Sequence, residues 1–194
     1  MFRLSPLILA LLFAGGAAAA GSCPPGQHQV CLLACFCAPD EAGDMGPLYD
    51  DLGRMAASGL AQWLVHSRNT LAAGEVHAIP LNVRAQLEPY FDLQVLEGAR
   101  YRVGDAEQLS AAGAMLHNPD VQAVTLVDVV VFRHEHDALD NVALWAHELT
   151  HVEQYQQWGV SEFARRYTRD YQSVEAPAYQ KQGRVAKALR GEVP

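Results

Sequence analysis

Basic residues are scarce in this chain: 14 Lys and Arg stand against 22 Asp and Glu, for a formal net charge of -8 at pH 7. Phosphate binding needs a basic face, and no such face is visible, so nucleic acid is not an expected partner. Long hydrophobic runs are lacking as well. Crossing a bilayer takes roughly 20 apolar residues, and no segment reaches that length without interruption by small residues. There is no internal repeat, and low complexity is confined to the first 20 residues. The remainder of the chain is long enough, and apolar enough, for a single core.

Those first 20 residues have the layout of a secretory signal peptide. Arg3 precedes an apolar run from Leu7 to Phe13, and the small stretch Ala17 to Ala20 offers a cleavage site before Gly21. Its apolar part is too short for a membrane anchor, so no stable span is expected after cleavage. The expected destination is the periplasm or the medium. Removing residues 1–20 takes away one Arg, leaving 13 basic against 22 acidic residues, a net charge of -9. Four Cys come next, Cys23, Cys31, Cys35 and Cys37. An even set in an exported chain predicts two disulfides, with three possible pairings that spacing does not separate. Lipid attachment at Cys23 is the competing reading, but it strands one thiol. A zinc knuckle is disfavoured because the C-x3-C-x-C spacing lacks the usual C-x2-C pairs.

The domain plan is a signal peptide over 1–20, a Cys-rich irregular segment over 21–47 interrupted by Pro24, Pro25, Pro39 and Pro47, and one folded domain over 48–194. Leu52, Met55, Leu60, Trp63 and Leu64 recur at helical spacing and predict an amphipathic helix from Leu48 to about Leu71, with His66 on its surface. Ile79-Pro80 opens a short helix through Phe91. Residues 93–103 read as extended, and Ala123 to Phe132 as one strand of β-formers. Asp140 or Asn141 can cap a helix from Val142 to Trp158, and Gly159 ends it. Ser161 can cap a helix to Tyr171, and a last helix runs from Val174 to Leu189 with Pro177 in its first turn. Helix, short strands, then helices make an α+β order.

Inside the capped helix stands His147-Glu148-Leu149-Thr150-His151. The four-residue offset puts both imidazoles on one face, one turn apart, where they can share a metal ion. Zinc accepts neutral imidazole readily and tolerates a tetrahedral site with one position left open. Glu148 adjoins the first ligand without occupying its place, so it can take a proton from a water that attacks a polarised carbonyl. That assigns His147 and His151 as ligands and Glu148 as general base. Context adds specificity to the pentapeptide, because it sits mid-helix behind a strand of β-formers in an exported chain.

A third ligand is required. The spacing in which Gly and His succeed the motif is ruled out by Gln154 and Gln157. Glu162, Asp170 and Glu175 remain. Glu162 is too close to the turn, whereas Glu175 lies 24 residues past His151, enough for the chain to reverse, with Asp170 the runner-up.

Ile79-Pro80 with Val83-Arg84 and Leu87, the run Leu144 to Val152 with Gln154, and Val174-Glu175 with Ala178-Tyr179 carry a resemblance. Together, over about residues 75–182, they resemble a widespread bacterial family of small zincin-like HExxH metallopeptidases without assigned substrates, also called the extracellular contractile injection system core domain. The resemblance implies a minimal gluzincin-like fold, with His147, His151 and Glu175 as zinc ligands and Glu148 as base. It does not reach the Cys-rich segment.

Other residues are weighed against plain packing. A phenol from Tyr167 or Tyr171 could hydrogen-bond a developing oxyanion, and Tyr171 is the candidate carried forward. Trp145 and Tyr155 read as core or groove lining, and His134 with His136 as exposed residues at a strand end. The strand over 123–132 could pair with a peptide substrate along its free edge. The expected function is zinc-dependent hydrolysis of a peptide bond in an exported or envelope protein. The alternatives are a non-catalytic zinc-stabilised binding or scaffold module, and a latent effector peptidase whose Cys-rich segment covers the cleft. Oligomeric state is left open.

Overall fold

The computed structural model describes residues 23–31, 35–39, 46–104 and 122–192. The signal-peptide expectation therefore lies outside the described residues. The chain is α+β. A two-stranded antiparallel hairpin, β1 (Gln27–Cys31) and β2 (Cys35–Pro39), precedes the long helix α1 (Gly46–Ala72). The disulfide Cys23–Cys37 ties this hairpin to the residues before it, with Cα atoms 5.6 Å apart. The register sets Cys31 opposite Cys35, but a second bridge between them falls outside the described side chains.

Next comes a four-stranded sheet, in the order β3 (His77–Ala78), β4 (Arg100–Val103), β6 (Val129–Phe132), β5 (Ala123–Leu126). β4 and β6 run parallel, and the outer pairs are antiparallel. Short helices α2 (Leu81–Leu87) and α3 (Leu93–Gly98) separate β3 from β4. After β6 come α4 (Glu135–Asp140), α5 (Val142–Trp158), α6 (Val160–Arg169) and α7 (Tyr171–Leu189). No described helix is long and apolar enough to cross a membrane.

Alternation along the strands builds two cores. Val130 and Phe132 of β6 face one cluster with Ala123, Val83, Leu87, Trp145, Leu149 and Val152, while Val129 and Val131 face the other with Val124, Leu126, Leu60, Leu64 and Phe163. Both faces of the β5–β6 pair are thus buried, which is why its residues read as a continuous apolar run. The same two-residue period puts Thr125 on the side of Ala123, toward α5.

Several expectations are corrected: residues 27–31 and 35–39 pair as strands inside the segment read as irregular, and α2 ends at Leu87 rather than reaching Phe91. Ala123 to Phe132 is two strands, because the chain reverses at Val127 and Asp128. Val127 has φ 64°, a left-handed conformation that costs a β-branched residue free energy. The turn is anchored by Arg68 of α1, whose Nε and Nη2 each donate to the Asp128 carboxylate at 2.6 Å. Residues 93–98 are helical rather than extended, burying Val95 and Leu96 one position apart, which a strand cannot do on one face. α6 starts at Val160 directly from Gly159, not from a Ser161 cap. α7 begins at Tyr171, so Pro177 lies in its interior rather than in its first turn.

Candidate metal centre

Asn141 caps α5 as expected, its Oδ1 accepting from the Leu144 amide at 3.1 Å, a bond that typically stabilises a helix by about 1 kcal/mol. Gly159 ends it with φ 74°. Trp145, Leu149 and Val152 are fully buried on the face that meets the sheet and α2. The Trp145 indole donates to the Ala138 carbonyl at 2.7 Å. These anchors fix the rotation of α5, and the next face carries His147 and His151 toward α7.

There the two imidazoles meet Glu175, on the second turn of α7. His147 Nε2 lies 3.2 Å from His151 Nε2 and 3.2 Å from Glu175 Oε2, and His151 Nε2 is 3.5 Å from the same oxygen. One ligand atom from each of the three lies within 4.8 Å of the others. Among the described residues this is the group of three that could hold a metal ion.

The two histidines are held differently. His151 Nδ1 is 2.8 Å from Gln154 Oε1. The Gln154 amide nitrogen donates to the Val174 carbonyl at 2.8 Å, so its oxygen must face the ring. That fixes an N–H on Nδ1 and leaves Nε2 as the nitrogen that faces the triad, protonated toward Glu175 in the metal-free protein and able to offer its lone pair once that proton leaves. His147 Nδ1 is buried with no partner among the described residues. The ring of Tyr179, one turn beyond Glu175, packs against it edge-on at 4.6 Å between centroids.

Glu148 is 4 % exposed and is not one of the three ligands. The Thr125 hydroxyl donates to its Oε2 at 2.8 Å and lies 3.0 Å from its backbone carbonyl. A carboxylate buried this deeply is costly unless hydrogen-bonded, and an edge-strand hydroxyl is what meets it.

Electrostatics tie the group together. Burial would raise the Glu175 carboxyl, but hydrogen bonds from His147 and His151 hold it well below the usual carboxylate range. Burial likewise works to lower His151, and the hydrogen bond and charge of Glu175 overcome it, raising the imidazole to about 9. Three phenols are pushed up by burial and then by the negative charge of Glu175: Tyr155, Tyr167 and, less buried, Tyr179. The Tyr155 hydroxyl is buried without a hydrogen-bond partner among the described residues.

The structure thus brings together His147, His151 and Glu175 with Glu148 beside them. Asp170, the runner-up ligand, is instead the N-cap of α7, its Oδ1 accepting from the Ser173 amide at 3.2 Å. The described contact of the Tyr171 ring is with Tyr167, at 6.2 Å between centroids, and the exposed phenol at the triad is Tyr179. His134 and His136 are exposed just past the end of β6, as expected; His134 precedes α4, and its ring stacks on that of His136 at 5.3 Å. Sequence reasoning assigned no role to Thr125, and named Gln154 and Tyr179 only as motif residues; the local signals were the three-residue step from His151 to Gln154 and the four-residue step from Glu175 to Tyr179.

A family model described as the eCIS core domain matches residues 78–159. The matched stretch resembles that family. It runs from β3 through α5 and so holds Thr125, His147, Glu148 and His151, while Glu175 and Tyr179 lie beyond its end, inside the wider span over which the sequence motifs extend. The eCIS core description names no reaction. No curated protein and no solved structure matches the chain.

Proposed function

We propose that His147, His151 and Glu175 hold a zinc ion and that Glu148 serves as general base in the hydrolysis of a peptide bond of an exported or envelope protein. The donor set supports zinc, since two imidazoles and one carboxylate are what an open zinc site uses, whereas calcium and magnesium prefer oxygen. Spacing supports it too. A tetrahedral ion with bonds of about 2.0–2.1 Å keeps its ligand atoms about 3.3–3.4 Å apart, and the triad is spaced at 3.2, 3.2 and 3.5 Å.

The observation that carries the reading is Glu148, a buried carboxylate next to the triad that ligates nothing and is held by one hydroxyl. A purely structural metal site has no use for it. When bound, zinc would supply a Lewis acid that polarises the scissile carbonyl and makes a nearby water more acidic. Glu148 then takes the proton from the attacking water and passes it to the leaving amine. Thr125 keeps the carboxylate pointed by donating to Oε2. Burial of His151 and Glu148 excludes bulk water from this side. The disulfide and the lack of a membrane-crossing helix among the described residues are compatible with export.

The test pairs elemental analysis with cleavage of a denatured-protein mixture. About one zinc per chain is expected, and Glu148→Gln should keep the zinc while lowering cleavage roughly 100- to 10,000-fold. Stoichiometric zinc with parent and variant equally inert on every mixture would replace this reading by a zinc-stabilised binding module.

A further inference from the structure

The face of α7 beyond Tyr179 is not accounted for by the metal cluster. Tyr179, Gln180, Gly183, Arg184 and Lys187 line an open trough of about 510 Å³, within the size range of ligand clefts. It begins at the exposed Tyr179 ring, whose packing on His147 places the trough next to the triad.

Two features set this face apart. The first is Gly183, in the middle of a 19-residue helix. Glycine there costs roughly 1 kcal/mol relative to alanine, and an added Cβ would meet nothing within 4 Å, as at Gly53 and Gly59 of α1; of these, only Gly183 lines the trough. The second is charge. In a chain of net charge -8 whose only lysines are Lys181 and Lys187, Lys181 is tied to Glu153 at 2.7 Å. Arg184 and Lys187 are both exposed, and no carboxylate among the described residues pairs with either. A notch flanked by two unneutralised cations fits an anionic chain lying along the helix.

We propose that this trough is a substrate subsite that takes acidic side chains of an extended peptide. The inference rests on the peptidase reading for the place of the scissile bond. Gly183 and Arg184 lie eight and nine residues past Glu175, about 12–14 Å along the helix. At about 3.3 Å per residue of extended chain, the acidic side chain sits roughly three to four residues from the cleaved bond.

The experiment measures binding apart from turnover. A fluorescein-labelled Glu-rich peptide and its Gln counterpart are titrated by anisotropy into zinc-loaded Glu148→Gln protein. The Glu peptide should bind about fivefold tighter at low salt, the scale expected for two exposed ion pairs, and the preference should shrink as salt rises. Adding R184E with K187E should abolish or invert it, and Gly183→Leu should weaken both peptides by filling the notch. Zinc content and melting temperature check that each variant is folded. Equal affinity for the two peptides, or a preference that survives charge reversal, overturns the proposal. Cleavage by the parent protein is scored separately: a persistent binding preference without cleavage supports the subsite and sinks only the peptidase reading.

Discussion

The two sides of the His147, His151 and Glu175 triad are built on opposite plans. On the inner side His151, Gln154, Glu148 and Thr125 are buried, and each is fixed by a hydrogen bond to a residue from another element or turn. On the outer side the buried Nδ1 of His147 has no described partner, and its ring is covered by Tyr179, 55 % exposed, at the head of an open trough. The inner side sets tautomer and aim. The outer side leaves room for a chain to enter. Under the proposed peptidase reading, this asymmetry lets substrate enter from a single direction.

The sharpest way to break the comparison is at Gln154. Gln154→Leu removes the acceptor that fixes His151, and outer-shell losses of this kind cost about 10- to 100-fold in metal affinity. Competition against a chelating indicator should find that loss in Gln154→Leu and a change of no more than about twofold in Tyr179→Phe. Equal effects would erase the distinction between the two sides. Thr125 comes next. Thr125→Val leaves Glu148 buried without its donor, so kcat should fall about tenfold, the scale of one hydrogen bond. Zinc content should stay stoichiometric, and Thr125→Ser should restore the rate.

Protonation separates the sides in the metal-free protein. Burial opposes the charged form of His151, but Glu175 raises it from the ordinary value of about 6.5 to about 9. Because the folded value is the higher one, the pair stabilises the metal-free fold fully below about pH 6.5 and loses that contribution as pH rises through about 9. Glu175, shifted the other way, keeps its contribution above the ordinary carboxylate value of about 4.5 and loses it progressively as pH falls below that. The metal-free melting temperature should therefore decline between about pH 7 and pH 9. Zinc must displace the His151 proton, so binding at pH 7 should release about one proton. Calorimetry in two buffers of different ionisation enthalpy measures it, and zero release would mean that His151 is neutral before metal arrives.

How much of this was legible in the sequence depends on which signals are local. The HExxH helix, its Asn141 cap and its Gly159 stop were readable because capping and helical spacing act over four or five residues. Glu175 could be ranked first of three acids by its distance past His151, but setting Asp170 aside takes the fold, where the chain uses it as a cap. Gln154 sits three residues past His151 in plain view, yet its role depends on Val174 reaching back to orient its amide. Thr125 was unreadable, since it required knowing that Ala123 to Phe132 folds as a hairpin. That hairpin was hidden by its own turn, where Val127 and Asp128 stand in place of the Asn-Gly or Asp-Gly that tight turns favour.

The same turn yields the smallest expected effect and a test of how the inner side is held. Val127 adopts φ 64° because Arg68 grips Asp128 and β5 must be close enough to α5 for Thr125 to reach Glu148. The strain of a β-branched residue there is on the order of 1–3 kcal/mol, partly offset by the packing of its side chain against the second core cluster. Val127→Asn accepts the left-handed conformation more readily, without the unfolded-state freedom that glycine adds. A net gain of about 1 kcal/mol is expected, seen as a rise of about 2–4 °C in melting temperature, with zinc affinity unchanged. A gain in stability accompanied by weaker zinc binding would mean instead that the strained turn holds β5 against α5 and that the inner side depends on it.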